Sequence, residues 1–433
     1  MEKQKSVKLN YLMNCILTAS SMIFPLLSYP YVSGILQPEG MGKVAFANSF
    51  IAYFALISML GIPTYGIRAC AKVRDDKKML SKVVWQLLAV NFMMTLAVYI
   101  LFGICLFTVP RVSSEKALFA WMSLSILFQM LGVEWLFKAL EEYSYITLRS
   151  VLFKAAALVL MFLCIHEKDD YVIYGVLTLA AGMGSNLCNL FYVRRFIQPL
   201  EKEDLASGAF VFLKDAIRTH IKPVGVFFAM SAATTIYTNL DVVMLNFMQG
   251  DVQTGYYSCA VKIKGVLVSF VTALGAVLLP RMSYYAEKKK DREFRRLIQK
   301  AFLFVAATSI PLCIFFMFFA KSSILILSGE AFLPAVFPMQ IIMPTLVLIG
   351  FSNLIGIQIL VPLGMEKKVL YSEIGGALTD LCLNLWLIPS MGAAGAAIGT
   401  LAAETVVLLY QIGVMINLKN KGVQNDTGKN QTL

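Results

Sequence analysis

Charged side chains occur inside long apolar stretches of this sequence, where they could bind a substrate or an ion. The residues concerned are Lys154, Asp241, Lys262, Lys264, Glu373, Asp380 and Glu404. A charge at the centre of a bilayer costs about 2.5–3.5 kcal/mol on insertion scales, so such residues are functional candidates unless they only lock helices together. Ammonium groups suit the phosphate or carboxylate groups of a substrate. Carboxylates suit a coupling cation.

The acidic candidates include a row on one helix face, formed by Glu373, Asp380 and Asn384 at steps of seven and four residues. Residues at this spacing share a face of an α-helix. Together with Asp241 and Glu404, they are predicted to take part in ion coupling or in helix pairing. The sequence leaves both roles open.

The basic candidates are predicted to face a substrate. Arg68 ends a run rich in helix-breaking residues, Gly-Ile-Pro-Thr-Tyr-Gly-Ile-Arg, and Lys154 lies in a later apolar segment. Asp241 and Lys262 lie at similar depths in consecutive segments, so these two are predicted to pair. Lys262 and Lys264 are about 200° apart on a helix, so only one of them can face a central cavity.

A polar stripe with a repeat indicates where that cavity lies. Asn14, Thr18, Ser21, Pro25 and Ser28 follow one helix face, and adding 213 to each number gives Phe227, Ser231, Thr234, Thr238 and Asp241. Polar rows in apolar helices usually face a bundle interior or a wet cavity. The predicted cavity-lining residues are Asn14, Thr18, Ser21, Arg68, Lys154, Ser231, Thr234, Thr238, Lys262 and Lys264.

The composition is that of an all-α polytopic membrane protein. Hydrophobic residues make up 58%, charged residues 15%, and the mean hydropathy is +0.71, against ~45–50% apolar and ~25% charged in soluble domains. Stretches long enough to cross a bilayer are predicted near 9–35, 43–65, 83–108, 117–137, 146–165, 171–193, 222–248, 253–280, 298–320, 334–360, 369–389 and 394–417.

The basic residues predict the orientation of these twelve spans. With a cytoplasmic N-terminus, 30 of the 38 Lys and Arg residues fall in inner segments and 5 in outer ones. This asymmetry is the positive-inside pattern, so both termini are predicted to be cytoplasmic. Most of the net charge of +12 is therefore topogenic and gives no reason to expect a nucleic-acid partner. Glu134, Lys138 and Arg149 lie near the inner interface, where a structural role is favoured.

The repeat divides the chain into two parallel six-span lobes. Gly42 and Gly255, and Arg68 and Arg281, match at the same offset as the stripe. The predicted parts are an N-terminal lobe (1–197), a linker with an amphipathic helix (198–221), a C-terminal lobe (222–417) and a cytoplasmic tail (418–433). The linker helix lies either at the membrane interface or against the bundle, and the sequence leaves both open.

Several functional classes have no support in the sequence. The eight cysteines are scattered without a CxxC pair, and both histidines, His166 and His220, are predicted in loops. No phosphate-binding GxxxxGK[ST] loop and no nucleophile–base pair occur, so no catalytic residue, metal site or cofactor is expected. A secondary transporter or lipid flippase follows, with alternating access between the two halves.

The sequence resembles the Wzx-type polysaccharide flippases of the multidrug/oligosaccharidyl-lipid/polysaccharide exporter superfamily. The resemblance covers essentially the whole chain and depends on the order of several loose motifs. These are Phe24-Pro25, Pro30–Ser33, Gln37–Gly42, Gly61–Arg68, Glu134–Phe137 with Glu141, Leu240-Asp241, Gly255–Lys262, Leu279-Pro280, Asn384–Pro389, Gly392–Ala397 and Glu404.

The resemblance implies a V-shaped bundle of two six-helix lobes, with spans 1, 2, 7 and 8 around the cavity. It also implies transfer of an undecaprenyl-diphosphate-linked oligosaccharide between the leaflets of the bacterial cytoplasmic membrane. A coupling cation, either proton or sodium, and the polysaccharide polymerase and glycosyltransferases are the expected partners. Two other functions stay open, namely an ion-coupled exporter of drugs or small molecules and a non-transporting assembly protein.

Overall fold

The computed structural model describes residues 7–200, 208–288 and 290–429, and within these ranges every regular element is a helix. The chain divides into two compact units, of which one ends at Asn239 and the other begins at Leu240. The all-α prediction is confirmed. Residues 222–239, which the repeat assigns to the second lobe, group with the first unit, and the predicted lobe boundaries stay a prediction.

The first unit is built from nine α-helices before the linker. They are α1 Val7–Met59, α2 Ile62–Lys72, α3 Lys77–Thr108, α4 Pro110–Ser113, α5 Lys116–Gly132, α6 Glu134–Ala139, α7 Tyr143–Cys164, α8 Tyr171–Met183 and α9 Asn189–Tyr192. Short 3₁₀ turns at Lys168–Asp170, Gly184–Cys188 and Val193–Arg195 accompany them.

A long helix, α10 Ala209–Gln249, begins within the predicted linker and continues into the second unit. The remaining α-helices are α11 Asp251–Glu287, α12 Asp291–Phe318, α13 Ala320–Ser328, α14 Val336–Ile342, α15 Thr345–Asn353, α16 Glu366–Met391 and α17 Ala393–Lys429. A 3₁₀ helix at Glu330–Ala335 and a π-helix at Leu354–Leu360 complete this unit.

The first two predicted spans form one interrupted helix. Gln37 breaks α1 with a φ of 59°, a conformation outside the α-helical region. Pro38 follows directly, and a proline disfavours the helical conformation in the residue before it. The sequence therefore places the break at the predicted connection between spans 1 and 2.

Nine helices in the described ranges are long and apolar enough to cross a membrane, or ten with the bent pair Glu330–Ile342 and Thr345–Leu360. The pair is bent by 44°, and Pro344 separates its two parts. The first of the nine, Leu9–Lys72, is 64 residues long, or ~96 Å at a helical rise of ~1.5 Å. That is several times the ~30 Å hydrocarbon core. The count of twelve crossings stays a prediction.

Arginine and aromatic residues stabilise one region of the first unit around α6 and α7. Trp135, Leu136 and Phe137 of α6 belong to its buried apolar cluster. The buried Arg149 donates from Nη1 to Ser185 Oγ at 3.0 Å and to Asn186 Oδ1 at 2.9 Å. These contacts bind α7 to the following elements, in keeping with the structural role favoured for Arg149.

The prediction that His220 lies in a loop is wrong, because this residue lies inside α10 and is buried. Its Nδ1 lies 2.8 Å from Tyr65 Oη and its Nε2 lies 3.1 Å from Gln86 Oε1. Gln86 in turn donates to Asp215 Oδ2 at 3.2 Å. Of the two readings of the linker helix, the structure favours the one packed against the bundle.

Two glutamines fix the turn between α16 and α17. Gln249 Nε2 donates to the carbonyl of Ile388 at 3.1 Å and to that of Pro389 at 2.8 Å. Gln253 Oε1 accepts from the backbone N–H of Ala393 at 3.1 Å. Because helix ends leave carbonyls and N–H groups unpaired, these contacts complete both helix ends at this turn.

Candidate functional site

The first polar stripe lies on an open surface of α1. Asn14, Thr18 and Ser21 are exposed, whereas Ser28 at the end of the stripe is buried. The hydroxyl of Thr18 donates to the carbonyl of Asn14 at 2.9 Å, and that of Ser21 donates to the carbonyl of Leu17 at 3.0 Å. Since each hydroxyl proton is used within the helix, the hydroxyl oxygens remain free to accept hydrogen bonds.

The second stripe has the same character on α10. Thr234 and Thr238 are exposed and Ser231 is half-buried. Thr238 donates to the carbonyl of Thr234 at 2.9 Å. Asp241, which corresponds to Ser28 in the repeat, is buried. In both stripes the last residue is therefore buried, whereas polar residues before it are exposed.

Lys154 of α7 forms hydrogen bonds to the first stripe. Its ammonium group donates to Ser21 Oγ at 2.6 Å and to Ser20 Oγ at 3.1 Å, which ties α7 to α1. An ammonium has three donors, so one is left for another acceptor. The structure thus brings together two predicted cavity residues, Ser21 and Lys154. Arg68 lies exposed on α2, and the cavity roles of all these residues stay a prediction.

The buried polar centre of the second unit is built around Asp241. Its Oδ1 accepts from Asn384 Nδ2 at 2.6 Å and its Oδ2 accepts from Thr400 Oγ1 at 2.8 Å. Tyr257 Oη also donates to Oδ2 and lies 2.8 Å from Thr400 Oγ1. Four helices, α10, α11, α16 and α17, meet in this one network.

Two oxygen atoms of this centre point to the same place on α17. Asp380 Oδ1 and Asn384 Oδ1 are buried, and neither accepts a hydrogen bond from any residue in the described ranges. A Cβ atom at Gly399 would lie 2.4 Å from Asn384 Oδ1 and 2.9 Å from Asp380 Oδ1. Only glycine fits there, because any side chain would displace both oxygens.

Lys264 interacts with the carboxylates of the centre. The half-buried Lys264 interacts electrostatically with Glu404, Asp241 and Asp380. Lys262 lies exposed on another face of α11. The charge of Lys264 thus acts on Asp241, and the predicted pair of Asp241 with Lys262 stays a prediction. The two lysines do face different directions, as their helical spacing requires.

Sequence reasoning missed three members of this centre, namely Tyr257, Gly399 and Thr400. A signal existed for Thr400, which lies four residues before Glu404 and so shares its helix face. Glu373 lies two helical turns from Asp380 and is half-buried. The buried row of α16 continues instead through Gly376 to Ser372.

The centre presents a carboxylate oxygen and an amide oxygen that accept no hydrogen bond from the residues that the structure describes, beside hydroxyl groups. Such hard oxygen ligands suit a small hard cation, and a carboxylate can also take up a proton. Within the described part of the chain, no group of three His, Cys, Asp or Glu residues is placed to hold a metal ion. The arrangement can therefore bind a cation or a proton through oxygen atoms.

Relatives of known sequence match nearly the whole chain. One is the protein of Escherichia coli (strain K12) named "Putative O-antigen transporter", 23% identical over 422 residues, which are 96% of this chain and 98% of that protein. A Shigella dysenteriae protein of the same name is 24% identical over 412 residues, 94% of this chain and 99% of its own length.

Solved structures share the fold. The lipid II flippase MurJ in an inward closed conformation has a TM-score of 0.65 at 14% identity, over 94% of this chain and 87% of that chain. An inward-facing multidrug resistance MATE family transporter of the MOP superfamily has a TM-score of 0.66 at 16% identity, over 94% and 99%. These likenesses confirm the all-α fold class with several apolar spans, whereas the V shape, the twelve spans and the spans around the cavity stay predictions.

The family described as "Polysaccharide biosynthesis protein" matches residues 7–286, which is more than half of the chain. The match includes the stripes on α1 and α10 together with Lys154, Asp241 and Tyr257. The apolar helices mark a membrane protein. The chain therefore belongs to the polysaccharide biosynthesis protein family.

Proposed function

We propose that the chain is a flippase that moves undecaprenyl-diphosphate-linked oligosaccharide repeat units across the bacterial cytoplasmic membrane for surface polysaccharide assembly. Family membership supports a role in polysaccharide biosynthesis. The names of the relatives, an O-antigen transporter and a lipid II flippase, support a lipid-linked sugar substrate. Polymerase and glycosyltransferases that use and supply this substrate are its proposed partners.

The observation that carries the proposal is Lys154 placed on the hydroxyl stripe of α1. Ser20 and Ser21 hold its ammonium group, and the exposed Thr18 and Asn14 continue the polar row. Hydroxyl and amide groups suit sugars, whereas an ammonium group suits a diphosphate. Both parts of the substrate headgroup thus find partners on one exposed helix face, while the lipid tail can stay in the bilayer.

Alternating access would be driven by a cation that binds in the second unit. The unpartnered oxygens of Asp380 and Asn384 beside Asp241 support a coupling site for a proton or sodium. Charge changes at a buried site that joins four helices would alter how these helices pack. A coupling ion must cause such a change in helix packing for its binding to drive transport.

The test is a strain without this chain, complemented with variants. Such a strain should lose surface polysaccharide and accumulate lipid-linked repeat units that face the cytoplasm. The wild-type chain should restore export. We expect Lys154→Ala to lower export by about tenfold, because one charged hydrogen bond to the substrate contributes about 1.5–3 kcal/mol, whereas Lys154→Arg should retain part of it. Normal surface polysaccharide without the chain would contradict the proposal.

An ion-coupled exporter of drugs or small molecules is the second candidate. It is favoured by the structural likeness to a multidrug resistance transporter. Lys154 on the open stripe argues against cationic drugs, because like charges repel. Drug susceptibility of the deletion strain separates the two functions. Increased susceptibility with intact surface polysaccharide would favour the exporter.

A further inference from the structure

A row of buried polar residues extends from the Asp241 centre along the contact between α16 and α17. On α16 it runs through Asn384 and Asp380 to Ser372, and on α17 it runs through Thr400 and Glu404 to Gln411. None of the six residues is more than 7% exposed. The row proceeds toward the helix ends that the positive-inside pattern predicts to be cytoplasmic. Burying polar side chains between membrane helices costs free energy, so such residues are candidates for a function.

The inner end of this row is a separate polar pair. Gln411 Nε2 donates to Ser372 Oγ at 3.1 Å, and Ser372 Oγ donates to the carbonyl of Val369 at 2.7 Å. Gln411 Oε1 is buried and accepts no hydrogen bond from any residue that the structure describes. This carbonyl oxygen repeats, at the inner end, the unpartnered oxygens of Asp380 and Asn384.

The π-helix borders the inner pair. A Cβ atom at Gly356 would lie 2.9 Å from Gln411 Nε2, so the backbone of Leu354–Leu360 runs directly beside the amide. Within this element Gln358 is buried and donates to Asn353 Oδ1 at 3.2 Å. π-helical turns are rare and occur frequently at functional sites. The backbone of a π-helix therefore lies against the inner pair.

An apolar contact separates the two polar regions. A Cβ atom at Gly376 would lie 2.6 Å from Val407 Cγ2 and 3.2 Å from the carbonyl of Ala403. Gly376 is one helical turn from both Asp380 and Ser372, and Val407 lies between Glu404 and Gln411. The two helices touch here, which leaves no room for an ion or for water. One valine side chain against one glycine forms the seal.

We propose that α16 and α17 enclose the route by which a small monovalent cation, proton or sodium, passes between the Asp241 centre and the cytoplasmic side. Gln411 and Ser372 bind the cation at the inner end, and Val407 against Gly376 is the gate. The inference depends on the coupling cation of the proposed function and adds its path. A small separation of the two helices would join the polar regions, because a side chain of only three carbons closes the gap.

The experiment measures cation flux in vesicles that contain the purified full-length chain but no lipid-linked sugar. One arm imposes a sodium gradient and the other a proton gradient, and an enclosed ion-sensitive dye reports the flux. Val407→Ala should raise the passive flux in one arm about tenfold over wild type, as expected if the barrier falls by about 1.4 kcal/mol. Val406→Ala is the matched control, since Val406 lies beside Val407 but off the buried row.

Two further variants keep the test decisive. Val407→Thr keeps the side-chain volume and adds a hydroxyl group to the seal, so it should also raise the flux without opening a cavity. Adding Gln411→Leu to either variant should return the flux toward the wild-type level, because the inner binding oxygen is lost. Equal fluxes in Val407→Ala, Val407→Thr and Val406→Ala, or a leak that Gln411→Leu leaves unchanged, would overturn the proposal.

Failure of this inference is distinguishable from failure of the proposed function. The flux is measured without lipid-linked substrate, whereas the function is tested by surface polysaccharide in cells. If the Val407 variants show the wild-type cation flux and export still requires the chain, only the proposed route is rejected. If the Val407 variants raise the cation flux and the deletion strain has normal surface polysaccharide, only the proposed substrate is rejected.

Discussion

Asp241 is a buried carboxylate that three hydrogen-bond donors stabilise. Asn384, Thr400 and Tyr257 all donate to it, so both of its oxygens are satisfied within the protein. Asp380 lies in the same centre with one oxygen unpartnered among the described residues. A second buried carboxylate without a full set of donors is a demanding arrangement. We therefore infer that a proton or a cation can occupy the centre.

Gly399 is the residue whose replacement should block that centre with the least chemical change. Gly399→Ala would place a methyl group within 2.4 Å of Asn384 Oδ1 and 2.9 Å of Asp380 Oδ1. We expect loss of export, and loss of any stabilisation by sodium or by low pH in thermal unfolding of the purified protein. The control is Gly413→Ala on the same helix, where nothing lies within 4 Å of the added carbon. Full export by Gly399→Ala would exclude a binding role for the converging oxygens.

The sequence predicted the acidic members of the centre but not its composition. Helical spacing placed Asp380 and Asn384 on one face, and this holds in the structure, where both are buried. Tyr257, Gly399 and Thr400 escaped because each becomes part of the site only through the packing of a second helix against the first. For the same reason spacing alone could not decide between Lys262 and Lys264. The spacing fixes the angle between the two lysines on α11, whereas the packing of neighbouring helices decides what each lysine contacts.

At the scale of the helices, the start of α10 belongs to the first unit. Ala216 and Val224 are part of its buried apolar cluster, and Ile217 packs against it. His220 adds a directional chain, because Gln86 Oε1 only accepts and its amide donates onward to Asp215. This geometry requires Nε2 of His220 to carry a proton and leaves Tyr65 to donate to Nδ1. The linker helix is therefore fixed by specific polar contacts as well as by apolar packing.

His220→Ala should loosen this helix. It would leave the buried Gln86 and the half-buried Tyr65 without their shared partner, which costs about 1–3 kcal/mol. We expect a lower unfolding temperature and faster proteolysis in the linker near residues 198–221. His166→Ala is the matched control, since His166 is exposed and should change neither measurement. Unchanged stability and unchanged proteolysis of His220→Ala would show that the hydrogen-bonded chain does not anchor the helix.

Element boundaries illustrate what sequence patterns can and cannot predict. The break at Gln37 and the bend near Pro344 both follow from prolines that are visible in the sequence. His220 lies outside a loop because α10 runs without interruption from Ala209 to Gln249, across the predicted boundary between linker and second lobe. Periodicity finds an apolar face, but only tertiary packing decides whether that face meets lipid or protein.

At the scale of the whole molecule, the duplicated stripe has diverged in chemistry. The position filled by Ser28 in the first half is filled by Asp241 in the second, and both are buried. Lys264 has Ile51 as its counterpart at the offset of 213. Lys154, which we propose to face the substrate, belongs to the first unit, whereas the carboxylates belong to the second. Duplication therefore supplied two similar scaffolds, and we infer that one specialised in substrate and the other in the cation.

Transport of a labelled lipid-linked oligosaccharide in reconstituted vesicles is the most direct test of this division of roles. With a sodium or proton gradient imposed, the wild-type chain should make the sugar accessible to an enzyme on the far side of the bilayer. Asp241→Asn, which keeps the size of the side chain but removes its charge, should bind the substrate and fail to respond to the gradient. Transport by Asp241→Asn that still follows the gradient, or no transport of the oligosaccharide by the wild-type chain, would contradict the proposed function.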